Sequence, residues 1–116
     1  MSNSAPKQKD EIIRFVGVNE LSAGEQEIIK KLTTENYLKI KRDLQDITNL
    51  VVHVKFYAGE GSRKKYSMHV RVAASKHNFE STNADDWEIH TALHKAFEEI
   101  KSQIHHKLHT DVTRPR

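Results

Sequence analysis

Two stretches of alternating apolar and polar residues, joined by a glycine-containing segment, constrain the fold of this chain more than any other feature. A period of two places successive side chains on opposite faces of a β-strand. Residues 50–57 read Leu-Val-Val-His-Val-Lys-Phe-Tyr, and residues 66–72 read Tyr-Ser-Met-His-Val-Arg-Val. Between them, the glycines of residues 58–62 supply the positive φ that a tight turn needs. The sequence therefore predicts a strand pair with one apolar face and one face that carries histidine and cations.

A first amphipathic helix is predicted before this strand pair. Ser22 and Glu25 have the spacing of a capping box, and an apolar stripe with helical spacing continues to about residue 46. Residues 33–36 form a weak helical stretch inside it, where the helix could kink or break. The residues of the predicted stripe are Ile28, Ile29, Leu32, Ile40, Leu44 and Ile47.

A second helix is predicted after the strand pair, to about residue 109. Asp85 and Glu88 repeat the capping spacing, and acidic residues favour the positive end of a helix dipole. His90, His94, Lys101 and His105 are expected along the flank of its apolar stripe. That stripe comprises Ile89, Leu93, Ala96, Phe97, Ile100 and Ile104.

Two shorter apolar segments complete the predicted fold. Residues 12–18 form a first strand, and residues 78–82, with Phe79 as their large apolar residue, form a last strand. The order is β-α-β-β-β-α, an α+β fold with a mostly antiparallel four-stranded sheet and two helices on one face. A chain of 116 residues with 36% hydrophobic content can close one modest core. We expect a disordered lead at 1–10, one domain at 11–109 and a disordered tail at 110–116.

Positive charge is concentrated in the middle of the chain. The net charge is only +3, but residues 53–77 carry six Lys or Arg against Glu60 alone. Histidines in the same block add charge in mild acid. Such a block favours a polyanionic partner, most often nucleic acid. A solvated sheet face that is basic for solubility is the alternative.

The sequence lacks the motifs of several common enzyme classes. The chain has no cysteine, no Walker-type phosphate loop and no nucleophile elbow, and Gly59-x-Gly61 lacks the third glycine of a dinucleotide fingerprint. His90/His94 and His105/His109 have a chelating i,i+4 spacing without the glutamate of a zinc protease or a marked third ligand. We therefore expect no enzyme activity, no cofactor and no metal.

Three aromatic residues have two possible roles each. Tyr57 and Tyr66, near the turn, could stack on bases or pack at the sheet edge. Trp87 could bind a ligand or pack the start of the second helix against the sheet. The sequence also lacks the roughly 20-residue apolar stretch of a membrane span and the apolar middle of a secretory signal, so we expect a cytoplasmic protein.

The order of elements and the last helix resemble the ribosome hibernation-promoting factor and ribosome-associated inhibitor family. That family's last helix reads Asp-aromatic, then Thr-Ala-Ile, then Leu-x-x-Gln-Leu. Here the corresponding residues are Thr91-Ala-Leu93, Phe97, Ile100, Gln103 and Ile104. The likeness covers roughly residues 11–109 and corresponds to the short form of the family. Glu99, Ser102 and His106 stand where the family often has Lys or Arg.

The resemblance implies a fold similar to double-stranded RNA-binding domains and a protein that docks in the mRNA and tRNA channel of the small ribosomal subunit. Its partner would be small-subunit ribosomal RNA, which it would bind without catalysing a reaction. We also expect a monomer that has no small-molecule substrate and does not bind a membrane. Lys39, Lys41 and Arg42 stand where the family's first helix carries its basic cluster. Charge and resemblance together give the candidate RNA-binding residues Lys30, Lys39, Lys41, Arg42, Lys55, Arg63, Lys64, Lys65, His69, Arg71, Lys76, Lys101 and Lys107.

Two other functions remain open at this point. The polar sheet face could serve a protein-interaction or oligomerising domain, although its cations and few large apolar residues argue mildly against this. The histidine pairs could serve a metal-binding regulator.

Overall fold

The computed structural model describes residues 12–61 and 63–113, with side chains as far as residue 108. The predicted lead at 1–10 lies outside the described residues, as do residues 114–116. The elements follow the predicted order β-α-β-β-β-α. They are β1 (Ile13–Val16), α1 (Ala23–Asp43), β2 (Ile47–Ala58), β3 (Lys64–Ala74), β4 (Asn78–Asp86) and α2 (Ile89–Thr113).

The four strands form one sheet in the order β1-β2-β3-β4. β2, β3 and β4 make the predicted antiparallel meander, whereas β1 runs parallel to β2, with Phe15 opposite Val52. A parallel neighbour requires a crossover connection, and α1 is that crossover. The sheet is thus mixed, with antiparallel pairing at two of its three strand junctions.

Apolar residues of one sheet face pack against both helices and form the core. Alternate residues of β2 and β3 are buried there, as their period of two predicted. The predicted stripe of α2 is buried along its whole length, and Phe97 and Ile100 are fully inaccessible. The buried strand residues are Leu50, Val52, Val54, Tyr66, Met68, Val70, Val72, Phe79 and Ala84.

The capping box predicted for α1 is present. Ser22 Oγ accepts from the Glu25 N–H at 3.1 Å, and the Glu25 carboxylate accepts from the Ser22 N–H at 3.0 Å. The helix does not break at 33–36, where the sequence allows a kink or break, because α1 is continuous to Asp43. Thr33 and Asn36 are buried, and the Asn36 side chain donates to the Leu32 carbonyl at 2.9 Å. Tertiary burial and this local bond outweigh weak helix propensity.

The predicted stripe of α1 is only partly buried. Ile29 and Ile40 are buried, but Ile28 is 37% exposed, and Ile47 belongs to β2 rather than to the helix. The helix ends three residues before the predicted end at 46, with Leu44 as its C-cap. Since Thr33 and Asn36 share its buried face, an apolar count alone could not locate that face.

Both boundaries of α2 differ from the prediction. β4 continues through Asp86, so Asp85 is a strand residue and not a helix cap. Asp86 instead accepts from the Glu88 N–H at 3.1 Å, and the helix begins at Ile89. It continues to Thr113, so residues 110–113 of the predicted tail are helical.

Candidate nucleic-acid interface

The sheet face that the helices do not cover, here called the open face, carries the alternating polar residues of β2 and β3. In the register, His53 lies opposite His69, and Lys55 lies opposite Ser67. The two imidazole rings are stacked, with centroids 6.5 Å apart and planes 17° apart. The structure thus brings together the histidines and cations predicted to share one face.

A carboxylate from β4 reduces the positive charge of this face. Glu80 lies opposite Arg71 in the register, and its Oε2 is 3.6 Å from Arg71 Nε and 3.7 Å from His69 Nε2. Glu80 is half exposed, so the pairs are weak. Two of the candidate RNA-binding residues nevertheless have an anionic neighbour within their own chain.

The open face has cations without such a neighbour at the end where β2 turns into β3. Among the described residues, no carboxylate lies within 4.0 Å of the side-chain nitrogens of Lys55, Arg63 or Lys65. Arg63 instead stacks on the indole of Trp87, with Cζ 4.3 Å from the ring centroid, and Lys65 Nζ lies 5.7 Å from the same centroid. Trp87 is 43% exposed, so this end combines unneutralised charge with accessible aromatic surface.

Lys64 lies on the opposite side of the sheet from Lys65. Its Nζ is 3.6 Å from the Glu25 carboxylate of α1 and 5.0 Å from the Phe56 ring centroid. Tyr66 also faces this side, where it is buried and donates its hydroxyl hydrogen to Glu25. Lys64 therefore contacts the fold itself, and the buried Tyr66 does not offer a ring face for stacking.

The candidate cations of α1 are exposed on the helix layer, the surface formed by α1 and α2 on the other side of the molecule. Lys41 Nζ lies 5.9 Å from the Tyr37 ring centroid. Arg42 borders a shallow depression that also contains Leu38, which is 58% exposed. Within the described part of the chain, no carboxylate lies within 4.0 Å of the charged nitrogens of Lys30, Lys39, Lys41 or Arg42.

The two helices bring their charged residues close together near Glu98. Lys101 Nζ lies 3.0 Å from the Glu98 carboxylate. The hydrogen bond from Lys101 lowers the pKa of Glu98, and the charges of Lys101, His94 and Lys39 lower it further. Glu98 is thus ion-paired with Lys101, whereas Lys39 lies beyond 4.0 Å and acts on Glu98 through its charge alone. Lys107 continues the basic residues along α2.

The candidate RNA-binding residues consequently do not form one patch. Lys55, Arg63, Lys65, His69 and Arg71 belong to the open face and its turn, and the candidates of α1 and α2 belong to the helix layer. Lys76 is exposed in the connection between β3 and β4. An RNA that contacts both sets would have to wrap around an edge of the domain.

Trp87 and Glu80 contact candidate residues but do not belong to the candidate set. Both stand outside the basic block of residues 53–77, and β4 brings them beside Lys65 and Arg71. An antiparallel meander places β4 next to β3, so the predicted order of strands already implied that these two residues lie near β3. A count of charge along the chain could not show it.

The histidine pairs do not assemble a metal site in the described residues. No group of three or more His, Asp or Glu side chains there could hold a metal ion. His90 and His94 are both exposed on α2. The side chain of His109, in the other pair, lies outside the described residues.

Comparison with known proteins assigns no family: no protein-family model matches this chain, and no curated protein matches it. Over the described residues, neither helix is apolar enough along its length to cross a membrane.

Proposed function

We propose that this chain is a non-catalytic protein that docks on small-subunit ribosomal RNA and inhibits translation or promotes ribosome hibernation. The observation that carries the proposal is the exposed set of cations on α1, Lys30, Lys39, Lys41 and Arg42, which have no ion-pair partner among the described residues. Lysine and arginine side chains left without internal partners are available to phosphates. The fold and the sequence of the last helix, which resemble the hibernation factors, support the ribosome as the source of that RNA.

Affinity on this basis comes mainly from the release of counterions. Each phosphate contact steepens the fall of log K with log salt by roughly 0.7 to 0.9. With about five contacts, binding weakens about a hundredfold or more between 50 and 200 mM salt. A shallow salt dependence would contradict the proposal.

Sedimentation through a sucrose gradient with purified small subunits tests the proposal directly. Wild-type protein is expected to co-sediment with the small subunit. Lys41→Ala and Arg42→Ala are each expected to weaken binding and to reduce the salt slope by about one. Arg14→Ala is the matched control, because Arg14 is an exposed cation on β1, opposite Val51 on the open face and away from α1.

Translation in a cell-free extract tests the inhibitory part. Wild-type protein is expected to lower the yield of a reporter, and Lys41→Ala combined with Arg42→Ala is expected to restore it. Failure to bind the small subunit, or equal loss of binding in Arg14→Ala and Arg42→Ala, would count against the proposal.

A protein-interaction function is the second candidate, because exposed apolar residues occur on the open face. Val16 is 45% exposed and Tyr57 is 57% exposed, and both point away from the helices. Size-exclusion chromatography of lysate with and without ribonuclease separates the two functions. A large complex that survives ribonuclease favours a protein partner.

A further inference from the structure

We propose that Tyr57, Arg63, Lys65 and Trp87 form a binding site for an unpaired base of single-stranded RNA and its flanking phosphates. The inference rests on the proposed RNA-binding function and adds the class of RNA and the residues that bind it. The site lies at the turn end of the open face, away from the helix layer.

The first support is the alternation of aromatic rings and cations across neighbouring strands. Tyr57 of β2 lies opposite Lys65 of β3 in the register. Trp87 lies on the other side of Lys65, with its ring centroid 5.7 Å from Lys65 Nζ. Arg63 covers the same ring, with Cζ 4.3 Å from the centroid. The two aromatic residues therefore flank a lysine, and an arginine stacks on one of them.

The second support is that the backbone around Trp87 is held in place before any ligand binds. Asp86 accepts from the Glu88 N–H at 3.1 Å and lies 2.9 Å from Lys95 Nζ. The hydrogen bond from Lys95 and that from the Glu88 N–H both lower the pKa of Asp86. The carboxylate thus stays charged near neutral pH and joins the segment around Trp87 to α2.

Gly59 completes the support of the indole. A Cβ atom at Gly59 would lie 2.7 Å from Trp87 Cζ3 and 3.1 Å from Cη2, so only glycine leaves the ring this position. The Gly59 N–H also donates to the Arg63 carbonyl at 2.8 Å, which closes the turn. The ring and its arginine are therefore positioned by the same turn.

The chemistry of these four side chains matches single-stranded RNA better than an acidic peptide. Tyr57 and Trp87 are 57% and 43% exposed, which leaves aromatic surface in water. Arg63 and Lys65 have no carboxylate within 4.0 Å in the described parts of the chain. A peptide carboxylate would satisfy the cations only, whereas a nucleotide presents a flat base for the rings and phosphates for the cations.

Trp87 is the only tryptophan of the chain, so its fluorescence reports on this site alone. Addition of a ten-nucleotide oligoadenylate is expected to quench the emission, because the base stacks on the indole. Inorganic polyphosphate and an RNA duplex of equal charge serve as controls for attraction without stacking. Equal binding of all three ligands without quenching would overturn the proposal, as would binding of an acidic peptide in place of the oligonucleotide.

Substitutions test the same site with an end-labelled oligonucleotide and fluorescence anisotropy. Trp87→Ala and Tyr57→Ala are each expected to weaken binding by roughly 5- to 100-fold, whereas Trp87→Phe retains most of the affinity. Leu38→Ala removes an exposed apolar side chain from the helix layer and is expected to change nothing. If Trp87→Ala fails to fold, Gly59→Ala, which displaces the ring, and the quenching of the wild-type protein still decide the question.

The ribosome experiment distinguishes the two proposals. Wild-type protein that co-sediments with small subunits but shows no quenching by the oligonucleotide overturns the base-binding site alone. Quenching by single-stranded RNA without co-sedimentation supports the site and refutes the ribosomal function. A single-stranded DNA of the same sequence, if it binds as tightly, shows that the site does not use the ribose 2′-hydroxyl.

Discussion

The Tyr66 hydroxyl donates a hydrogen bond to the Glu25 carboxylate, which joins β3 to the first turn of α1. The same carboxylate accepts from the Ser22 N–H and lies 3.6 Å from Lys64 Nζ. Burial, followed by the bond to Glu25 and its charge, raises the pKa of Tyr66 to about 12. Tyr66 therefore keeps its proton throughout the neutral range and remains a donor to Glu25.

We expect Glu25→Gln to lower the free energy of unfolding at pH 7 by about 1 to 3 kcal/mol, because hydrogen bonds to a charged acceptor are the stronger kind. Burial raises the pKa of Glu25, but the bonds from Tyr66 and Ser22 and the charge of Lys64 outweigh it, and the net pKa is lower than 4.5. The stabilisation is therefore present above pH 4.5 and is lost as the pH falls through the folded-state pKa. Urea unfolding from pH 7 to pH 3.5 measures it.

The control for this prediction is Glu27→Gln, since Glu27 is exposed on the same helix. It is expected to change stability by less than about 0.5 kcal/mol. A difference between Glu25→Gln and wild type that stays constant down to pH 3.5 would contradict the assigned role of the carboxylate.

Gln103 gives a second prediction, because its side-chain amide occupies the outer edge of β4. Its Nε2 donates to the Glu80 carbonyl at 2.7 Å, and its Oε1 accepts from the Glu80 N–H at 3.2 Å. We expect Gln103→Ala to cost about 1 to 2 kcal/mol of stability and to speed hydrogen exchange of the Glu80 amide. The exposed neighbour Ser102→Ala is the control. Unchanged exchange at Glu80 would show that this pairing is absent in solution.

The sequence predicted the order of elements because hydrophobic period and capping act locally. The stripe of α2 could be read directly, since each of its members is apolar and buried. The buried face of α1 could not, because Thr33 and Asn36 take positions that a pattern search assigns to water. Their burial depends on the helix and sheet that pack against them, which no local pattern encodes.

The candidate site was predicted less well than the fold. A count of charges detects residues that are close in sequence, whereas an interface is formed by residues that are close in three dimensions. Arg71 looked unopposed within residues 53–77, yet β4 places Glu80 beside it. Lys64 and Lys65 are neighbours in the sequence, but successive side chains of a strand lie on opposite faces of the sheet. Lys64 therefore contacts Glu25, and Lys65 lies near Trp87. Both results could have been predicted from the sequence, by using the order of the strands and the alternation of side chains between the two sheet faces.

The third prediction is that alanine at Gly17 and alanine at Gly24 change stability in opposite directions. Gly17 has φ +83°, and a Cβ atom there would lie 2.3 Å from the Val54 carbonyl oxygen. Gly17→Ala is therefore expected to lose about 2 kcal/mol or more, from left-handed strain and a clash with backbone. Gly24 lies in the first turn of α1, and the atom nearest to an added Cβ is Ser22 Oγ at 4.0 Å.

Gly24→Ala is expected to gain about 0.5 to 1 kcal/mol from helix propensity. Thermal unfolding of the two variants side by side measures the contrast. Similar melting temperatures for both variants would contradict the backbone conformation at Gly17.

Thr33 gives the last prediction, because its buried hydroxyl has no hydrogen-bond partner among the described residues. A buried polar group without a partner has lost water and gained nothing in exchange. Thr33→Val keeps the branched shape and nearly the same helix propensity while removing the hydroxyl. We therefore expect it to leave stability unchanged or to raise it by up to about 1 kcal/mol. Thr34→Val, on the exposed side of the same helix, corrects for any effect of valine on α1. A loss above 1 kcal/mol in Thr33→Val relative to Thr34→Val would mean that the hydroxyl does bond in solution, and the helix carbonyl one turn earlier is the acceptor within its reach.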